Sequence, residues 1–395
     1  MAKKIIIFIL FYIFNFSHEL IPDSSKKITD LIQDYGYLVQ THYVTTQDGY
    51  ILEIQRIPGI KGENIKRGKN LVLLMHGLLM SSADWVVTGP NTSLAFLLVE
   101  NGYDVWLGNN RGNTFGKNHT KQLETSYGFW DFSWHEFGIY DLPATIDYIL
   151  KETNMTDLNY ICFSQGCTQL LVMGSLKPEN NKKIRFTAAL APAAYFKYTK
   201  GLNALLHNMI LLSRNFVENF GYFEIFPALS IIRVLIKYLC GIGNPWQNLC
   251  YIFMFSFVGS GIDEMDRQKI TDILTYFPAG SSLKQIIHYH TGMMNGEFSL
   301  YDYGAVKNLL LYNTTVPPKY PIENIKVPIA IFYGVNDFLS SPGDVLYLSS
   351  KLPKVIGKFV VRERKLNHLD FIYGKNVRQL VYGQLLKILN NFRKN

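Results

Sequence analysis

The chain has 395 residues, of which 48% are hydrophobic and 18% are charged. This composition excludes an intrinsically disordered chain and predicts either one large domain with an insertion or two domains. The formal net charge is +8 without a dense basic run or zinc-finger spacing, so we expect no nucleic-acid partner and at most a weak attraction to anionic membrane or micelle surfaces.

The first segment, residues 1–17, has the pattern of a secretory signal peptide. Lys3 and Lys4 precede an unbroken apolar run at residues 5–14. That run is about half of the ~20 residues that a transmembrane helix needs, so we expect no stable membrane span once the peptide is removed. An uncleaved anchor is the alternative, because the site after Ser17 is a poor cleavage signal.

Downstream of this segment, four Asn-x-Ser/Thr sequons are consistent with entry into the secretory pathway. The candidate glycosylation sites are Asn91, Asn118, Asn154 and Asn313.

The apolar runs predict an α/β fold. Residues 42–46 and 50–57 are expected to form a hairpin, since they are joined by a turn that contains Gly49. Continuous apolar runs that predict strands buried on both faces follow at 71–75, 105–107, 160–163, 187–190 and 329–333. Helical segments such as 93–101 and 142–151 separate them. We therefore expect a mainly parallel sheet with helices on both faces and a ligand site beyond the carboxyl ends of the strands.

A long stretch at residues 195–321 interrupts this alternation and predicts a helical cap. It divides the sheet domain into parts at 18–194 and 322–395. The most hydrophobic piece of the cap, residues 249–258, is too short to span a membrane. Several apolar side chains of the cap are candidates to line an apolar cleft, or simply to form the core of the cap: Met254, Phe255, Phe257, Met293 and Met294.

Residues 158–166 predict a nucleophile on a sharp turn between a strand and a helix. In the G-x-S-x-G pattern, small residues two before and two after the serine let neighbouring backbone pass close by. Gly166 fits this pattern, whereas Cys162 stands where the first glycine is expected. The pattern makes Ser164 the candidate nucleophile.

A serine nucleophile needs a general base and a carboxylate that orients this base. Asp337 follows the predicted strand at 329–333, and His368 is the only histidine after Asp337. This is the serine, acid, histidine order that the strand-turn-helix nucleophile uses. Asp344 and Asp370 compete for the role of the acid, but Asp370 is only two residues from the histidine and Asp344 is farther along its loop.

The candidate oxyanion hole uses backbone amides. The predicted strand at 71–75 ends in His76 and Gly77, and a glycine there lets the chain turn so that the next N–H points into the site. We expect the amides of Leu78 and Gln165 to form the hole, and His76 to hold the loop rather than to react.

The four cysteines form two sequence pairs. Cys240 and Cys250 flank a Gly-rich turn, so a disulfide there fits an oxidising compartment. Cys162 and Cys167 bracket Ser164, and we expect them to be free, buried thiols. Sequence alone leaves all three full pairings open.

The chain resembles the acid lipase family, the gastric and lysosomal triacylglycerol and sterol-ester lipases, from about Asp34 to the C-terminal helix. The stretches that carry the resemblance are 76–79 (HGLL), 91–95 (NTSLA), 102–109 (GYDVWLGN), 111–114 (RGNT), 140–144 (YDLPA), 278–282 (PAGSS) and 367–371 (NHLDF). The resemblance implies an α/β-hydrolase fold with a cap and lid over an acyl-binding cleft, no metal or cofactor, and a secreted or lysosomal enzyme. It places the nucleophile, acid and base on Ser164, Asp337 and His368, the oxyanion donors on Leu78 and Gln165, and the cap disulfide on Cys240 and Cys250.

The chain departs from the family at two adjacent positions. The family usually reads Gly-His-Ser-Gln-Gly, where this chain has Cys162 and Phe163 before the serine. A side chain at the crowded glycine position is expected to displace Ser164 and to lower turnover.

Three functions are compatible with the sequence. The first is a serine ester hydrolase that acts on acylglycerols or sterol esters at a lipid–water interface or micelle surface. The second is a non-catalytic lipid-binding protein of the same fold. The third is an α/β-hydrolase that cleaves another acyl substrate, such as a peptide or thioester, because one triad serves many acyl transfers.

Overall fold

The computed structural model describes residues 26–65, 68, 70–199, 221–226, 238–249, 258–259 and 264–393. The predicted signal peptide and most of the apolar cap piece at 249–258 lie outside these residues. No helix in the described ranges is both long and apolar enough to cross a membrane.

The strands are β1 (Gln40–Thr45), β2 (Tyr50–Ile57), β3 (Leu71–Met75), β4 (Asp104–Leu107), β5 (Asn118–His119), β6 (Leu158–Phe163), β7 (Ile184–Leu190), β8 (Glu224–Ile225), β9 (Ser281–Ser282), β10 (Ile329–Gly334) and β11 (Val355–Val361).

The α-helices of the described residues are α1 (Ile28–Asp34), α2 (Leu94–Glu100), α3 (Trp134–Glu136), α4 (Leu142–Thr153), α5 (Gln165–Leu176), α6 (Ile270–Tyr276), α7 (Leu283–Asn295), α8 (Ala305–Tyr312), α9 (Pro342–Lys351), α10 (Asp370–Tyr373) and α11 (Gly383–Asn390). Short π-helices at Phe137–Asp141 and Arg378–Tyr382 lead into α4 and α11.

One large sheet forms the centre of the molecule, in the order β1-β2-β4-β3-β6-β7-β10-β11, and β5 pairs with β2. The strands from β4 to β11 in this order are parallel, whereas β1 and β2 are antiparallel. Successive residues of a central strand point to opposite faces of the sheet and pack into different apolar cores. Ile161 of β6 lies in one core, and the next residue, Cys162, lies in the other. The prediction of a mainly parallel sheet that is covered on both faces is confirmed.

The chain leaves the sheet after β7 and returns at β10, and the cap elements lie between them. The described part of this insertion contains α6, α7, α8 and the two-stranded pair of β8 and β9. The boundaries at 195 and 321 stay a prediction.

A buried lysine fixes α7 to the sheet domain. The Lys284 ammonium donates to Asp131 at 2.7 Å and to the hydroxyl of Tyr303 at 3.0 Å, and the rings of Tyr222 and Tyr301 lie within 5.4 Å of it. The negative charges of Glu136 and Asp131 outweigh burial and raise the pKa of Lys284, so the side chain stays charged.

Candidate active site

The turn between β6 and α5 forces an unusual backbone conformation on the candidate nucleophile. Ser164 has φ 51° and ψ −115°, a region that costs free energy for a residue with a side chain. Two residues on, a Cβ added to Gly166 would lie 2.9 Å from the carbonyl oxygen of His76 and nearer still to that of Met75. Gly166 is therefore required, because the start of α5 passes directly over the end of β3.

The expectation for the cysteines around this turn is wrong. Cys162 and Cys167 form a disulfide, with their Cα atoms 5.1 Å apart, so they are not free thiols. The sequence reasoning missed this because the sulfur atoms meet only when the chain reverses at Ser164. Cys240 is also in a disulfide; Cys250 lies outside the described residues, so that pairing stays a prediction.

Ser164, His368 and Asp337 lie in hydrogen-bond contact. The His368 Nε2 atom is 2.9 Å from Ser164 Oγ, and its Nδ1 atom is 2.8 Å from Asp337 Oδ2. Since an ionised carboxylate only accepts, Nδ1–H donates to Asp337 and Nε2 is free to accept the serine hydroxyl. The expected displacement of Ser164 by the Cys162 side chain is not seen, because the serine remains within reach of the histidine.

Backbone and ring contacts hold the side chains of Asp337 and His368 in place. Asp337 Oδ1 accepts the amides of Leu339 at 2.9 Å and Ser340 at 2.7 Å. The ring of Phe163 lies against the His368 imidazole, with 4.8 Å between centroids. Phe163, at the second position where the chain departs from the family pattern, therefore restricts the orientation of the base.

The two competing carboxylates have other partners. Asp344 accepts the Ser341 hydroxyl at 2.8 Å and the backbone amide of Tyr198 at 3.0 Å. Asp370 Oδ2 accepts the amide of Asn367 at 2.8 Å, and burial raises the pKa of Asp370 to about 7. Of the three candidate carboxylates, Asp337 is the one whose side chain contacts the ring of His368.

The neutral side chain of His76 holds the candidate oxyanion loop in place. His76 Nδ1 lies 2.8 Å from the Gly77 carbonyl oxygen and therefore donates to it, while Nε2 accepts from the side-chain amide of Asn113 at 3.2 Å. Burial lowers the pKa of His76 to about 4. A Cβ at Gly77 would lie 2.9 Å from the ring of Phe163, so this glycine permits a close approach between the loop and the strand that bears the nucleophile.

The two amides predicted for the oxyanion hole belong to the loop after β3 and to the start of α5. Leu78 follows Gly77 in the loop after β3, and Gln165 is the first residue of α5. The first four N–H groups of a helix have no acceptor within the helix, so the Gln165 amide is available to an incoming oxyanion. Their role as donors stays a prediction.

Two contacts from the cap to this site were not predicted from the sequence. The first is on α7, where Gln285 Nε2 donates to the side-chain oxygen of Gln165 at 2.7 Å and the Tyr289 hydroxyl lies 3.4 Å from the same atom. Because Gln165 also carries a candidate oxyanion amide, α7 helps to fix the residue next to the nucleophile. A helical pattern in the cap gives no sign of which face docks there.

The second contact is the short segment Val258 and Gly259. The Val258 carbonyl accepts the amide of His368 at 3.2 Å and the amide of Phe338 at 3.4 Å. Gly259 has φ 140°, and a Cβ there would lie 2.7 Å from the Cβ of Asn367. This segment therefore bridges the loops that carry the acid and the base.

The predicted apolar lining is not assembled from the described residues. Met293 is partly buried against one of the two large apolar cores, Met294 is 62% exposed, and Met254, Phe255 and Phe257 lie outside the described residues. The four sequon asparagines Asn91, Asn118, Asn154 and Asn313 are all exposed. In the described ranges no three His, Cys, Asp or Glu side chains are grouped so that they could hold a metal ion, and the expectation of no cofactor stays untested.

Comparison with known proteins agrees with the geometry. Residues 28–89 match the family model described as a partial alpha/beta-hydrolase lipase region, and residues 70–211 match the alpha/beta hydrolase fold. The chain is 40% identical to Lipase 1 of Drosophila melanogaster over 370 residues, which cover 93% of this chain and 80% of that lipase. It is 36% identical to human gastric triacylglycerol lipase over 375 residues, 94% of this chain and 93% of that enzyme.

A structural relative, the epoxide hydrolase from Vigna radiata, superimposes with a TM-score of 0.51 over 89% of this chain and 98% of its own. At 12% identity it shows the fold alone. The sequence relatives show more, because they extend over nearly the whole chain at 36–40% identity. The chain therefore belongs to the acid lipase family of α/β-hydrolases, together with the gastric lipases.

Proposed function

We propose that this protein is a serine carboxylic ester hydrolase that works through an acyl-enzyme intermediate. His368 takes the proton of the Ser164 hydroxyl as Oγ attacks the ester carbonyl carbon, and Asp337 stabilises the imidazolium that forms. The amides of Leu78 and Gln165 bind the oxyanion of the tetrahedral intermediate.

The same groups complete the cycle. His368 passes its proton to the leaving alcohol oxygen as the carbon–oxygen bond breaks, and then activates a water that releases the acid from Ser164. The observation that carries this proposal is the pair of contacts from His368, 2.9 Å to Ser164 Oγ and 2.8 Å to Asp337 Oδ2. This is the nucleophile–base–acid geometry that acyl transfer requires.

The direct test is labelling with a fluorophosphonate, which reacts with an activated serine. We expect stoichiometric labelling of Ser164, with loss of both labelling and ester hydrolysis in Ser164→Ala. Ser350→Ala, which removes an exposed hydroxyl from α9, is the control and should behave as the native enzyme. A folded native protein that binds lipid but is neither labelled nor active would favour the non-catalytic alternative.

We infer that the substrates are acylglycerols or sterol esters. The support is the similarity to gastric triacylglycerol lipase over nearly the full length of both chains. Rates on emulsified triacylglycerol, cholesteryl ester, a short-chain ester, a thioester and a peptide decide this point. Faster cleavage of thioester or peptide than of either lipid ester would contradict it and favour the other acyl substrates.

We also infer that the chain enters the secretory pathway and is secreted or lysosomal. The support is the leader-like segment 1–17 together with four exposed sequon asparagines. Expression in a eukaryotic host should give a protein that begins after Ser17 and loses mass with an N-glycosidase. A chain that keeps residues 1–17 and stays with the membrane would identify the uncleaved anchor instead.

For the lipid–water interface, we propose that α8 is a contact surface. This helix exposes Val306, Leu309 and Leu310 at spacings of three and four residues, so these side chains share a face. Lys307 is the basic residue of the helix, and α8 has no acidic residue. An exposed apolar face with a single cation suits an anionic lipid surface better than open water.

A further inference from the structure

The disulfide between Cys162 and Cys167 spans the candidate nucleophile. Cys162 is the penultimate residue of β6, Cys167 lies in the first turn of α5, and Ser164 lies between them. We propose that this disulfide is a positioning device for Ser164, which lets side chains occupy a space that the G-x-S-x-G pattern keeps nearly empty. The proposal rests on the proposed role of Ser164 as the nucleophile.

The reversal of the chain at Ser164 brings β6 and α5 together on two sides of the turn. On one side, Gly166 meets the carbonyl oxygens of Met75 and His76 and has no room for a Cβ. On the other side, the Cα atoms of Cys162 and Cys167 are 5.1 Å apart, within the range that a disulfide spans. Two thiols that are not bonded need a wider separation than two bonded sulfur atoms, because they can approach only to van der Waals contact.

The bonded sulfur atoms therefore resolve the conflict at the missing glycine. In the glycine-containing pattern, the strand and helix approach closely because one partner has no side chain. Here both partners carry a side chain, and the covalent bond shortens the distance between them. Without the bond, the first turn of α5 has to move away from β6 or the side chains have to leave their rotamers.

Burial makes this bond a permanent part of the site. Cys162 is 0% and Cys167 is 2% exposed, and both belong to the apolar core on the α5 side of the sheet, which also contains Leu170, Leu171 and Ala189. A reductant in solution has no access to either sulfur atom in the folded protein. The bond is therefore expected to persist under mild reduction, and it does not act as a switch.

A shift of the first turn of α5 would misplace groups that are expected to take part in the reaction. The Cys167 amide donates to the Ser164 carbonyl at 3.0 Å, and the Ser164 amide donates to the Leu190 carbonyl at 2.9 Å. A movement of the first turn would therefore shift Ser164 Oγ relative to His368 Nε2, and the Gln165 amide relative to the bound carbonyl. These groups act in the chemical step, so the cost falls on kcat rather than on KM.

The first measurement is disulfide mapping of the native protein. Proteolysis without reductant should yield Cys162 and Cys167 joined, and thiol titration of the denatured chain should find neither of them free. Free thiols at both positions would overturn the proposal. This readout does not depend on any catalytic activity.

The second measurement compares three double variants on a soluble short-chain ester, each below its own unfolding temperature and normalised to fluorophosphonate-labelled enzyme. Cys162→Ser/Cys167→Ser keeps side chains at both positions without a bond, and we expect kcat to fall by about ten-fold or more with little change in KM. Cys162→Gly/Cys167→Ala removes the crowding as well as the bond, and should recover most of the native kcat. Cys240→Ser/Cys250→Ser, the matched control, should keep the native kcat.

Two outcomes would overturn the positioning role. One is a Cys162→Ser/Cys167→Ser variant that keeps the native kcat per labelled enzyme and loses only thermal stability. The other is a Cys162→Gly/Cys167→Ala variant that is as slow as the serine pair, since crowding would then not be the cause. A native enzyme that is itself inactive and unlabelled contradicts the proposed function instead, and disulfide mapping separates the two failures.

Discussion

His76 uses both ring nitrogens where the candidate oxyanion loop meets the loop after β4. Nδ1–H donates to the Gly77 carbonyl, and Nε2 accepts from Asn113. Burial lowers the pKa of His76 from 6.5 to about 4, so the neutral ring is the form that fits. His76 does not react with substrate, but its protonation sets the lowest pH at which this loop, which is expected to bind the oxyanion, keeps both hydrogen bonds.

The lowered pKa of His76 makes the folded protein less stable as the pH falls. The folded pKa of His76 lies below the unfolded value, so between about pH 4 and 6.5 the unfolded chain binds the extra proton. The contribution is complete above pH 6.5 and is lost as the pH falls towards 4. At about 1.4 kcal/mol per pH unit, the loss amounts to about 3 kcal/mol.

We therefore expect His76→Leu to be less stable than the native protein at pH 7, with a difference that shrinks by about 3 kcal/mol at pH 4. Free energies of unfolding from urea titrations at pH 4, 5, 6 and 7 measure this difference. Parallel curves for the two proteins would mean that His76 does not titrate in this range.

At the scale of elements, the Val258–Gly259 segment bridges the loops after β10 and β11. Gly259→Ala places a Cβ 2.7 Å from Asn367 and against the Asn336 carbonyl, in a backbone conformation that alanine rarely adopts. Since Asn336 and Asn367 each precede a triad member, we expect kcat to fall by about ten-fold or more with a smaller change in KM.

Gly296→Ala is the matched control for this substitution. Gly296 also has a positive φ, 67°, but its added Cβ meets nothing closer than the Cβ of Lys197 at 3.9 Å. This variant should lose stability and keep the native kcat on a soluble ester. Equal kinetic effects of the two substitutions would show that backbone strain, and not contact with the catalytic loops, lowers the activity.

The central strands of the sheet domain could be predicted from the sequence, because apolar runs of three to five residues bounded by turns identify them. The predicted bounds of β2 and β3 agree with the structure, while β7 begins three residues earlier than predicted, at Ile184. The triad residues follow from this pattern, since the carboxyl ends of parallel strands meet at one edge of the sheet. In the structure Ser164 Oγ and Asp337 Oδ2 both lie within 2.9 Å of a ring nitrogen of His368, and the catalytic roles of the three residues stay a prediction.

The contacts from the cap could not be predicted in the same way. Gln285 and Val258 reach the site through docking of helices and loops, and a helical pattern shows which residues share a face but not which surface that face meets. The disulfide at Ser164 was missed for a related reason. A spacing of five residues brings two cysteines together only at a reversal of the chain, and the reversal depends on the strained conformation of Ser164.

At the scale of the whole molecule, the insertion between β7 and β10 contacts residues beside the candidate nucleophile. Lys284 binds Asp131 of the sheet domain, and the adjacent Gln285 binds Gln165 beside the nucleophile. The same insertion continues into α8, whose apolar face is exposed. One insertion therefore connects the candidate catalytic centre to the surface proposed for lipid contact.

The exposed apolar face of α8 is expected to contribute to the binding of the whole enzyme to lipid. Val306 is 80%, Leu309 is 53% and Leu310 is 78% exposed, and an aliphatic side chain contributes roughly 1.5–3 kcal/mol when it moves fully from water into an apolar phase. Val306→Ser/Leu310→Ser should therefore lower vesicle binding and hydrolysis of vesicle-borne ester by about ten-fold or more. Neither residue contacts the triad, so kcat/KM on a soluble short-chain ester should stay at the native value.

Leu123→Ser is the control for this variant, because Leu123 is a similarly exposed leucine, at 74%, that lies outside α8. Asn313, a sequon residue, caps the C-terminal end of α8, so a glycan there would compete with lipid for the same surface. We therefore expect Asn313→Gln to increase vesicle binding by the glycosylated enzyme. Equal losses on soluble and vesicle-borne esters, or a dimer that the Val306→Ser/Leu310→Ser change dissociates, would contradict lipid contact and identify a second copy of the chain as the partner of α8.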